Sequence, residues 1–317
     1  MSSRAPESVL WDFLRGAMMT RALGLVADLD VAGALSGGPR HSDEVARHVG
    51  AEPDTLYRIL RALATDGVFV EVEPRVFANT PVSELLHEPS KRAFAHLFAG
   101  VWHRAVGELT ADTVAAPFPR TYGTDFWAWL AKHPEERAAF DVAMVDGNSH
   151  RVERLASVDW RGDETVVDVG GGNGSLLVEF LRERPGLRGI VFDLPETVRD
   201  PASFGDRVEF VPGSFFERVP CGDVYILATI LHDWDDENAT AILQTIRGAA
   251  APDSRLLILD GVVQPGSEAG GAKWLDLLVL TLFAGRERDD QQWRALLADG
   301  GFEPLRIADG LIEARCR

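Results

Sequence analysis

The sequence predicts an α/β protein in which a mostly helical, winged-helix-like region precedes a Rossmann-like domain with a sheet of about seven strands. Three observations predict this fold. From residue 160 onward, short apolar runs alternate with helical stretches, as in a parallel sheet. A glycine-rich turn joins the first of these runs to a helix. Nearer the start, two capped helical segments precede two short strands. We place the domain boundaries at 1–95, 96–158 and 159–317.

The N-terminal region has the order of elements of a winged helix. Residues 9–35 keep apolar side chains at helical spacing but carry few charges, which favours burial on several sides and hence a subunit interface. A helix capped by Ser42 comes next, then a second helix and a pair of strands. The predicted ranges are 42–50, 53–67, 68–72 and 75–79. We expect residues 1–95 to be a dimerisation domain.

DNA recognition is the alternative function of a winged helix. The second helix carries Arg58 and Arg61, but acidic residues surround them at Asp54, Asp66, Glu71 and Glu73. The chain has a net charge of −17, whereas binding to phosphates relies on clustered Lys and Arg. We therefore expect no nucleic-acid partner.

The segment 96–158 is a predicted helical linker, rich in Trp, Phe and His. Most of these aromatic side chains belong to a core, but a linker of this composition beside a cofactor domain also suits a largely apolar substrate pocket. We expect a flat aromatic substrate to contact Trp102, His103, Phe126, Leu278 and Leu282.

The C-terminal region carries seven strand patterns. Five are separated by helical stretches and two form a closing pair. In doubly wound sheets, ligands bind beyond the carboxyl ends of the strands, so functional residues should follow them directly. The predicted strands are 165–169, 189–192, 208–211, 224–228, 256–259, 304–308 and 311–315.

The first of these strands ends in a glycine loop that starts at Asp168 and includes Gly170, Gly171 and Gly172. Dinucleotide-binding loops prefer Gly-x-Gly-x-x-Gly, whereas the third glycine of the spacing arrives one residue early here, at Gly174. An acidic residue two positions before the first glycine suits a nucleoside that carries an amino acid, which means S-adenosylmethionine (SAM). From these residues alone, a structural turn or another nucleotide remains possible.

Two further strand ends suit the rest of such a nucleoside. Asp193 ends the second strand, 19 residues after the last loop glycine, where a carboxylate accepts hydrogen bonds from a ribose diol. Leu194 follows it. Ser214 and Phe215 follow the third strand and suit the edge and face of an adenine. The alternatives are a capped turn at Asp193 and ordinary core packing for Phe215.

His232 follows the fourth strand and is the candidate general base, because an imidazole can take a proton from a phenol or enol near neutral pH. A base needs a carboxylate to orient it. Asp260, at the end of the fifth strand, and Glu287 are the candidates. The alternatives are a histidine bonded within a turn and solvated surface charges.

Five motifs in this order resemble the SAM-dependent small-molecule O-methyltransferases, which include plant caffeate and flavonoid enzymes and bacterial polyketide-tailoring enzymes. They are Val-Val-Asp-Val-Gly-Gly-Gly-Asn-Gly, Phe-Asp-Leu-Pro, Gly-Ser-Phe-Phe, Leu-His-Asp-Trp-Asp-Asp and Gly-Arg-Glu-Arg. The resemblance covers essentially the whole chain. It implies a homodimer formed by the N-terminal domain, SAM in the C-terminal domain, and His232 as base supported by Asp260 and Glu287.

The resemblance also implies roles for the cofactor contacts. Gly171 and its neighbours would contact the methionine end, Asp193 the ribose, and Ser214 with Phe215 the adenine. Met144 would lie near the sulfonium, and we place Asp233 among the cofactor contacts. Three departures favour the bacterial natural-product branch: Ser214 in place of Asp, Asp260 in place of Glu, and Ala228 in place of Lys.

The leading hypothesis is SAM-dependent O-methylation of a phenolic hydroxyl on a bacterial secondary metabolite such as an antibiotic precursor. The alternatives are a hydroxylation, decarboxylation or pericyclic step, a C- or N-methylation, and an acidic winged-helix regulator. Cys221 and Cys316 form no disulfide or metal pattern, so we expect no metal. With 46% apolar residues, no signal peptide and no long apolar stretch, we expect a soluble, cytoplasmic protein.

Overall fold

A computed structural model of the 317-residue chain describes residues 5–113, 115–195, 197, 206–267, 271–308 and 310–317. The chain divides into two compact units. One comprises Met1–Gly107 and His133–Asp146, and the other comprises Glu108–Lys132 and Gly147–Arg317.

The first unit is helical, with a small sheet. In its described residues, three strands pair antiparallel in the order β1-β3-β2. The strands are β1 Arg40–His41, β2 Phe69–Glu73 and β3 Val76–Asn79. The helices are α1 Pro6–Leu14, α2 Gly16–Asp28, α3 Val31–Ala34, α4 Ser42–Val49, α5 Pro53–Thr65, α6 Pro81–Glu84, α7 Pro89–Ala99, α8 Val101–Val106 and α11 Pro134–Met144.

The predicted winged helix is confirmed, with one correction at its first helix. His41, rather than Ser42, is the N-cap residue of α4, and its Nδ1 accepts a hydrogen bond from the N–H of Asp43 at 3.3 Å. The short strand β1 pairs with β3 up to His41, and the Ser42 N–H then donates to Arg75 O at 2.7 Å. Because the pairing fixes where the strand ends, Ser42 becomes the first residue of the helix and is buried.

The predicted burial of residues 9–35 holds for only part of that range. Val26 and Val31 lie in the core of the first unit. By contrast, α1 buries none of its residues. Six large apolar side chains at this end of the chain are between 38% and 68% exposed: Val9, Leu10, Trp11, Phe13, Leu14 and Met18. A concentration of exposed apolar side chains in one segment is typical of an interaction site.

The second unit is built around a mixed sheet, which in the described residues has seven strands in the order β6-β5-β4-β7-β8-β10-β9. The strands are β4 Thr165–Val169, β5 Arg188–Asp193, β6 Val208–Pro212, β7 Val224–Ala228, β8 Arg255–Leu259, β9 Phe302–Ala308 and β10 Leu311–Cys316. The strands β4 to β8 are parallel, and β10 is antiparallel to both of its neighbours. The predicted Rossmann-like sheet is confirmed.

Helices cover both faces of this sheet, because β4 alternates its apolar side chains between them. Val167 packs with the cluster that includes Trp293, and Val166 packs with the cluster that includes Phe180. The helices are α9 Phe118–Tyr122, α10 Phe126–Ala131, α12 Asn148–Ala156, α13 Ser175–Leu181, α14 Asp236–Ala249, α15 Gly271–Phe283 and α16 Asp290–Asp299.

The order of strands reverses between β4 and β7, which start the two halves of the parallel sheet. In a doubly wound sheet this reversal opens a crevice at the carboxyl ends of the two strands, where ligands bind. The glycine loop follows β4 and the turn that carries His232 follows β7, so the fold brings both to this crevice. None of the described helices is long and apolar enough to cross a bilayer.

Candidate active site

The glycine loop after β4 requires glycine for two reasons. Gly170, Gly172 and Gly174 have φ angles of 74°, 59° and 76°, in the left-handed region that other residues rarely adopt. A Cβ at Gly170 would also lie 2.5 Å from Cδ1 of Ile230. The loop therefore packs directly against the segment that leads to His232, and its glycines place no side chain between the backbone and a ligand.

Asp168 lies beneath this loop with its carboxyl group buried. It is 1% exposed, and its Oδ2 has no hydrogen-bond partner among the described residues. Burial and the nearby charge of Asp193 raise the pKa of Asp168 to about 7, while the charge of Arg151 acts in the opposite direction. A buried acceptor without a donor is costly, so this carboxyl group fits a ligand that brings a donor such as an ammonium group.

Arg151 was not singled out from the sequence. It lies on α12, and its Nη1 donates to Oδ1 of Asn148 at 3.0 Å. Asn148 in turn donates to Oγ of Ser175, the first residue of α13, at 3.0 Å. The charge of Arg151 acts against the rise in the pKa of both Asp168 and Asp260, which burial causes. Its guanidinium group therefore faces the site. No local sequence pattern marks it, because it reaches the site only through the packing of α12.

Asp193 ties the glycine loop to the end of β5. Its Oδ2 accepts a hydrogen bond from the Gly172 N–H at 2.7 Å, and its Oδ1 accepts one from the Leu194 N–H at 2.7 Å. A carboxylate oxygen can accept more than one hydrogen bond. The structure therefore brings the predicted ribose-binding residue against the predicted methionine-binding loop.

The end of β6 places an aromatic group beside the same loop. The ring of Phe215 lies 3.7 Å from where a Cβ at Gly170 would be. It packs edge-to-face against Phe216 and Trp234, with centroids at 5.0 and 5.9 Å. Ser214 accepts a hydrogen bond from the Phe216 N–H at 3.3 Å. Leu194 and Phe216 remain 39% and 40% exposed, which leaves an apolar surface next to Asp193.

His232 lies in a 3₁₀ turn, Leu231–Asp233, that follows β7. Its side chain is buried, and its Nδ1 lies 2.6 Å from Oε1 of Glu287. Its Nε2 lies 3.4 Å from Oδ1 of Asp233. Since an ionised carboxylate only accepts hydrogen bonds, Nδ1 carries the proton, and Nε2 is the nitrogen that can exchange a proton with a substrate.

Three acidic side chains control the charge of this imidazole. Burial by itself would lower the pKa of His232, but the charges of Asp233 and Asp260 and the hydrogen bond to Glu287 raise it to about 10. Burial raises the pKa of Asp233 to about 7 and that of Asp260 to about 6, while the charge of His232 limits both shifts. In the free protein the imidazole is therefore protonated at neutral pH.

Asp260 and Glu287 contribute to the site in different ways. Glu287 is buried and contacts His232 directly, and its N–H donates to Oδ1 of Asp276 at 2.8 Å. Asp260 is 2% exposed, and neither of its carboxylate oxygens has a hydrogen-bond partner in the part of the chain that the structure describes. Asp260 thus acts on His232 through charge. The alternative that Glu287 is a solvated surface charge is wrong, because α15 covers it.

Aromatic side chains pack at the end of α15. Phe283, at the end of α15, packs edge-to-face against Phe126 at 4.9 Å and stacks on Trp127 at 5.4 Å. On the same helix Leu282 is buried and Leu278 is half-buried. The turn of His232 contacts α15, so these apolar groups and the imidazole belong to adjoining elements of one unit.

Three predicted residues belong to the first unit. They are Trp102 and His103 on α8 and Met144 at the end of α11. Trp102 is buried there and packs edge-to-face against Phe98 and Phe94, with centroids at 4.9 and 6.1 Å. Their assignment to the substrate pocket and the cofactor stays a prediction.

Comparisons with known proteins agree with this geometry. Residues 100–303 match the O-methyltransferase domain, and residues 11–89 match the O-methyltransferase dimerisation domain. The phenazine O-methyltransferase PhzM of Lysobacter antibioticus is 36% identical, over 98% of this chain and 96% of the relative. The mitomycin biosynthesis 6-O-methyltransferase of Streptomyces lavendulae is 37% identical, over 94% and 89%.

Solved structures give the same result. The crystal structure of LaPhzM superimposes with a TM-score of 0.92 at 35% identity, covering 99% of this chain and all of that one. The O-methyltransferase NcsB1 from neocarzinostatin biosynthesis, solved with S-adenosyl-L-homocysteine and 1,4-dihydroxy-2-naphthoic acid, superimposes with a TM-score of 0.80 at 32% identity, covering 94% and 96%. Nothing in these matches supports a non-methylating step. The chain belongs to the family of SAM-dependent O-methyltransferases.

Proposed function

We propose that this enzyme methylates a phenolic hydroxyl of a bacterial secondary metabolite, with His232 as the general base. The observation that carries the proposal is the contact between Nδ1 of His232 and Oε1 of Glu287 at 2.6 Å, buried beside the glycine loop. The names of the relatives support the class of acceptor, since they refer to phenazine, mitomycin and a dihydroxynaphthoic acid.

The residues around the glycine loop fit SAM. Oδ2 of Asp168 has no donor among the residues that the structure describes and would accept a hydrogen bond from the ammonium group of the methionine end. The positive charge of Arg151 would pair with its carboxylate. Asp193 lies at the end of β5 against the glycine loop, and its carboxylate is the acceptor type that a ribose diol needs. A Cβ at Gly171 would lie 2.8 Å from Oδ2 of Asp168, so glycine at this position keeps the carboxyl group accessible to the methionine end.

The adenine would lie on the apolar surface around Leu194 and Phe215, with Ser214 at its edge. We place Asp233 at the cofactor side of the imidazole and Met144 near the sulfonium. When bound, SAM supplies a methyl group that its sulfonium activates for direct in-line displacement. The protein therefore has to bind, orient and deprotonate the acceptor and to exclude water.

His232 has to lose its proton before it can act as a base. Its pKa of about 10 in the free protein reflects the surrounding carboxylates. A cation bound beside the cluster disfavours the imidazolium and so lowers that pKa. The neutral imidazole then accepts the acceptor's proton at Nε2, and the charge of Glu287 stabilises the imidazolium that forms.

The active enzyme in this proposal is a homodimer with the domains 1–95, 96–158 and 159–317. The exposed apolar side chains of α1 supply a surface for a second copy. The match of residues 11–89 to the dimerisation domain supports this assembly. Within the second unit, the substrate pocket would be lined by Phe126, Leu278 and Leu282.

Methyl transfer from labelled SAM tests the proposal directly. The purified protein is incubated with a panel of hydroxybenzoates, hydroxynaphthoates and hydroxyphenazines and with matched anilines, and products are located by NMR. We expect a methyl ether from at least one phenol and an equal amount of S-adenosylhomocysteine. Transfer to nitrogen or carbon alone, or no turnover with any phenol, would contradict the proposal.

A further inference from the structure

The segment Gly285–Arg288, here called the strap, lies directly on the turn that carries His232. The N–H of Arg286 donates to the backbone carbonyl of His232 at 2.8 Å. A Cβ at Gly285 would overlap this carbonyl, so glycine is required for the strap to approach so closely. Glu287, on the same segment, holds Nδ1 of the imidazole. The strap therefore contacts both the backbone and the side chain of His232.

Arg288 makes the most extensive contacts of the strap with this turn. Its Nη1 donates to the carbonyl of Leu231 and its Nη2 to the carbonyl of Trp234, each at 2.8 Å. Its Nε donates to Oδ1 of Asp236 at 3.0 Å. The two carbonyls lie on either side of His232 in the sequence. One planar guanidinium group thus brackets the turn, which the single amine of lysine cannot do in the same geometry.

The burial of Arg288 is unusual for a charged side chain. It is 0% exposed, and its guanidinium lies over the ring of Trp293 at 5.4 Å from the centroid. Burial lowers the pKa of Arg288, against the effect of Asp236. Only the arginine of its ion pair with Asp236 is buried, and taking a guanidinium group out of water is costly unless its N–H groups are paired. A role in the geometry of the site explains its place better than a role in stability.

The turn itself needs such support. A 3₁₀ turn of three residues, Leu231–Asp233, has few hydrogen bonds of its own. Thr229 just before it has a φ of 54°, a strained value for a β-branched residue. Ala284, just before the strap, has a φ of 62°. Both segments therefore enter the site through backbone conformations that surrounding contacts must maintain.

We propose that Arg288 is a positioning residue for methyl transfer. Its two hydrogen bonds to the carbonyls of Leu231 and Trp234 hold the turn so that Nε2 of His232 stays directed at the acceptor. This inference rests on the proposed base role of His232. The turn can also be observed without activity, so the two ideas fail in different experiments.

The test compares Arg288→Lys and Arg288→Met with the wild-type enzyme. The control is Arg294→Met, which removes an exposed ion pair with Asp290 on α16. We expect both Arg288 variants to lower kcat by about 10- to 100-fold, the range typical of a misplaced general base. The KM for the acceptor and the affinity for SAM should stay within about threefold, and the control should match the wild type.

The pH dependence of kcat/KM in the two variants distinguishes the effect of the Arg288 charge from the effect of its hydrogen-bonding geometry. The groups that face His232 are Asp233 in its own turn, Asp260 at the end of β8, and Glu287 on the strap. Arg288→Met removes a cation near these carboxylates, so the rise of kcat/KM with pH should move to higher pH. Arg288→Lys keeps the charge, so this rise should stay in place while kcat falls.

Hydrogen exchange of the amides 231–236 is the readout that needs no turnover. We expect it to be about tenfold faster in Arg288→Lys than in the wild type, because the bracketing contact is lost. Unchanged exchange and an unchanged kcat in Arg288→Lys would overturn the proposal. So would a kcat that falls only in proportion to SAM affinity or to the folded fraction. If Arg288→Met does not fold, the lysine variant decides.

Discussion

Nδ1 of His232 lies 2.6 Å from Oε1 of Glu287, a residue 55 positions later in the chain. The turn after β7 supplies the imidazole, and the strap after α15 supplies the carboxylate. Because both groups are buried, their interaction is weakly screened, and it controls both the tautomer and the charge of the imidazole. The expected effects of substitutions follow from this pair and from the loop beside it.

Glu287→Gln should move the activity of the enzyme toward lower pH. The glutamate contributes to raising the pKa of His232 to about 10, so its removal lowers that pKa and frees the base earlier as pH rises. We expect the rise of kcat/KM to shift down by about one pH unit, the equivalent of one charge-assisted hydrogen bond. The maximal kcat should also fall, because the amide orients the imidazole poorly. Glu303→Gln, at an exposed ion pair with Arg315, is the control, and an upward shift would contradict the assignment.

Asp168→Asn should stabilise the free protein and weaken its binding of SAM. The pKa of Asp168 is raised to about 7, so ionising this carboxyl group in the folded protein lowers the free energy of unfolding. The loss is absent below about pH 4, where the group is protonated in both states, and it grows until the group is ionised in both states above about pH 7. The amide stays neutral, and the gain in unfolding free energy should reach at most about 4 kcal/mol above pH 8. Thermal unfolding at pH 5 and pH 8 measures this difference. Asp163→Asn, at an exposed side chain, should show none, and an equal gain at both pH values would refute the explanation.

Asp193→Ala should weaken SAM binding by about 10- to 100-fold, as measured by calorimetry. The carboxylate accepts the hydrogen bond of the Gly172 N–H and, in the proposal, that of the ribose, so the substitution loses one or two charge-assisted hydrogen bonds. Glu209→Ala on the exposed surface of β6 is the matched control. Wild-type affinity in Asp193→Ala would remove the ribose role.

Gly170→Ala should destabilise the fold and reduce SAM affinity together. Its φ of 74° disfavours any Cβ, and that Cβ would lie 2.5 Å from Ile230. Strain of this kind costs about 1–3 kcal/mol. Gly248→Ala in α14 is the contrasting control, because a Cβ there meets open space and alanine is the better helix former by about 1 kcal/mol. Wild-type stability and SAM affinity in Gly170→Ala would contradict this prediction, because they would show that the loop can adjust to a Cβ at this position.

Local patterns predicted the sheet closely, whereas contacts between distant segments set the details of the site. The run 165–169 is the strand β4 to the residue, because apolar β-branched residues end at a glycine turn. The predicted N-cap at Ser42 was wrong by one residue, since the pairing of β1 with β3 decides where that helix starts. Local helix and capping propensities do not include a constraint that pairing with another strand imposes.

In the candidate site, too, local patterns predicted some residues, and contacts between distant segments determined the others. His232 and Asp193 stand out from the sequence because each directly follows a strand. Arg288 and Arg151 do not, because a charged residue in a polar run ordinarily points to solvent, and only the fold shows that Arg288 is fully buried. Only the packed site shows that neither oxygen of Asp260 has a hydrogen-bond partner among the described residues.

The rate of methyl transfer in His232→Ala tests the account most directly. With a phenol of ordinary acidity, we expect a loss of about 100-fold or more in single-turnover rate, while SAM affinity measured by calorimetry stays unchanged. With a nitrophenol that is already ionised at the assay pH, the loss should shrink to a few fold, since no base is then needed. A variant that transfers the methyl group to the ordinary phenol at the wild-type rate would show that His232 does not remove the proton.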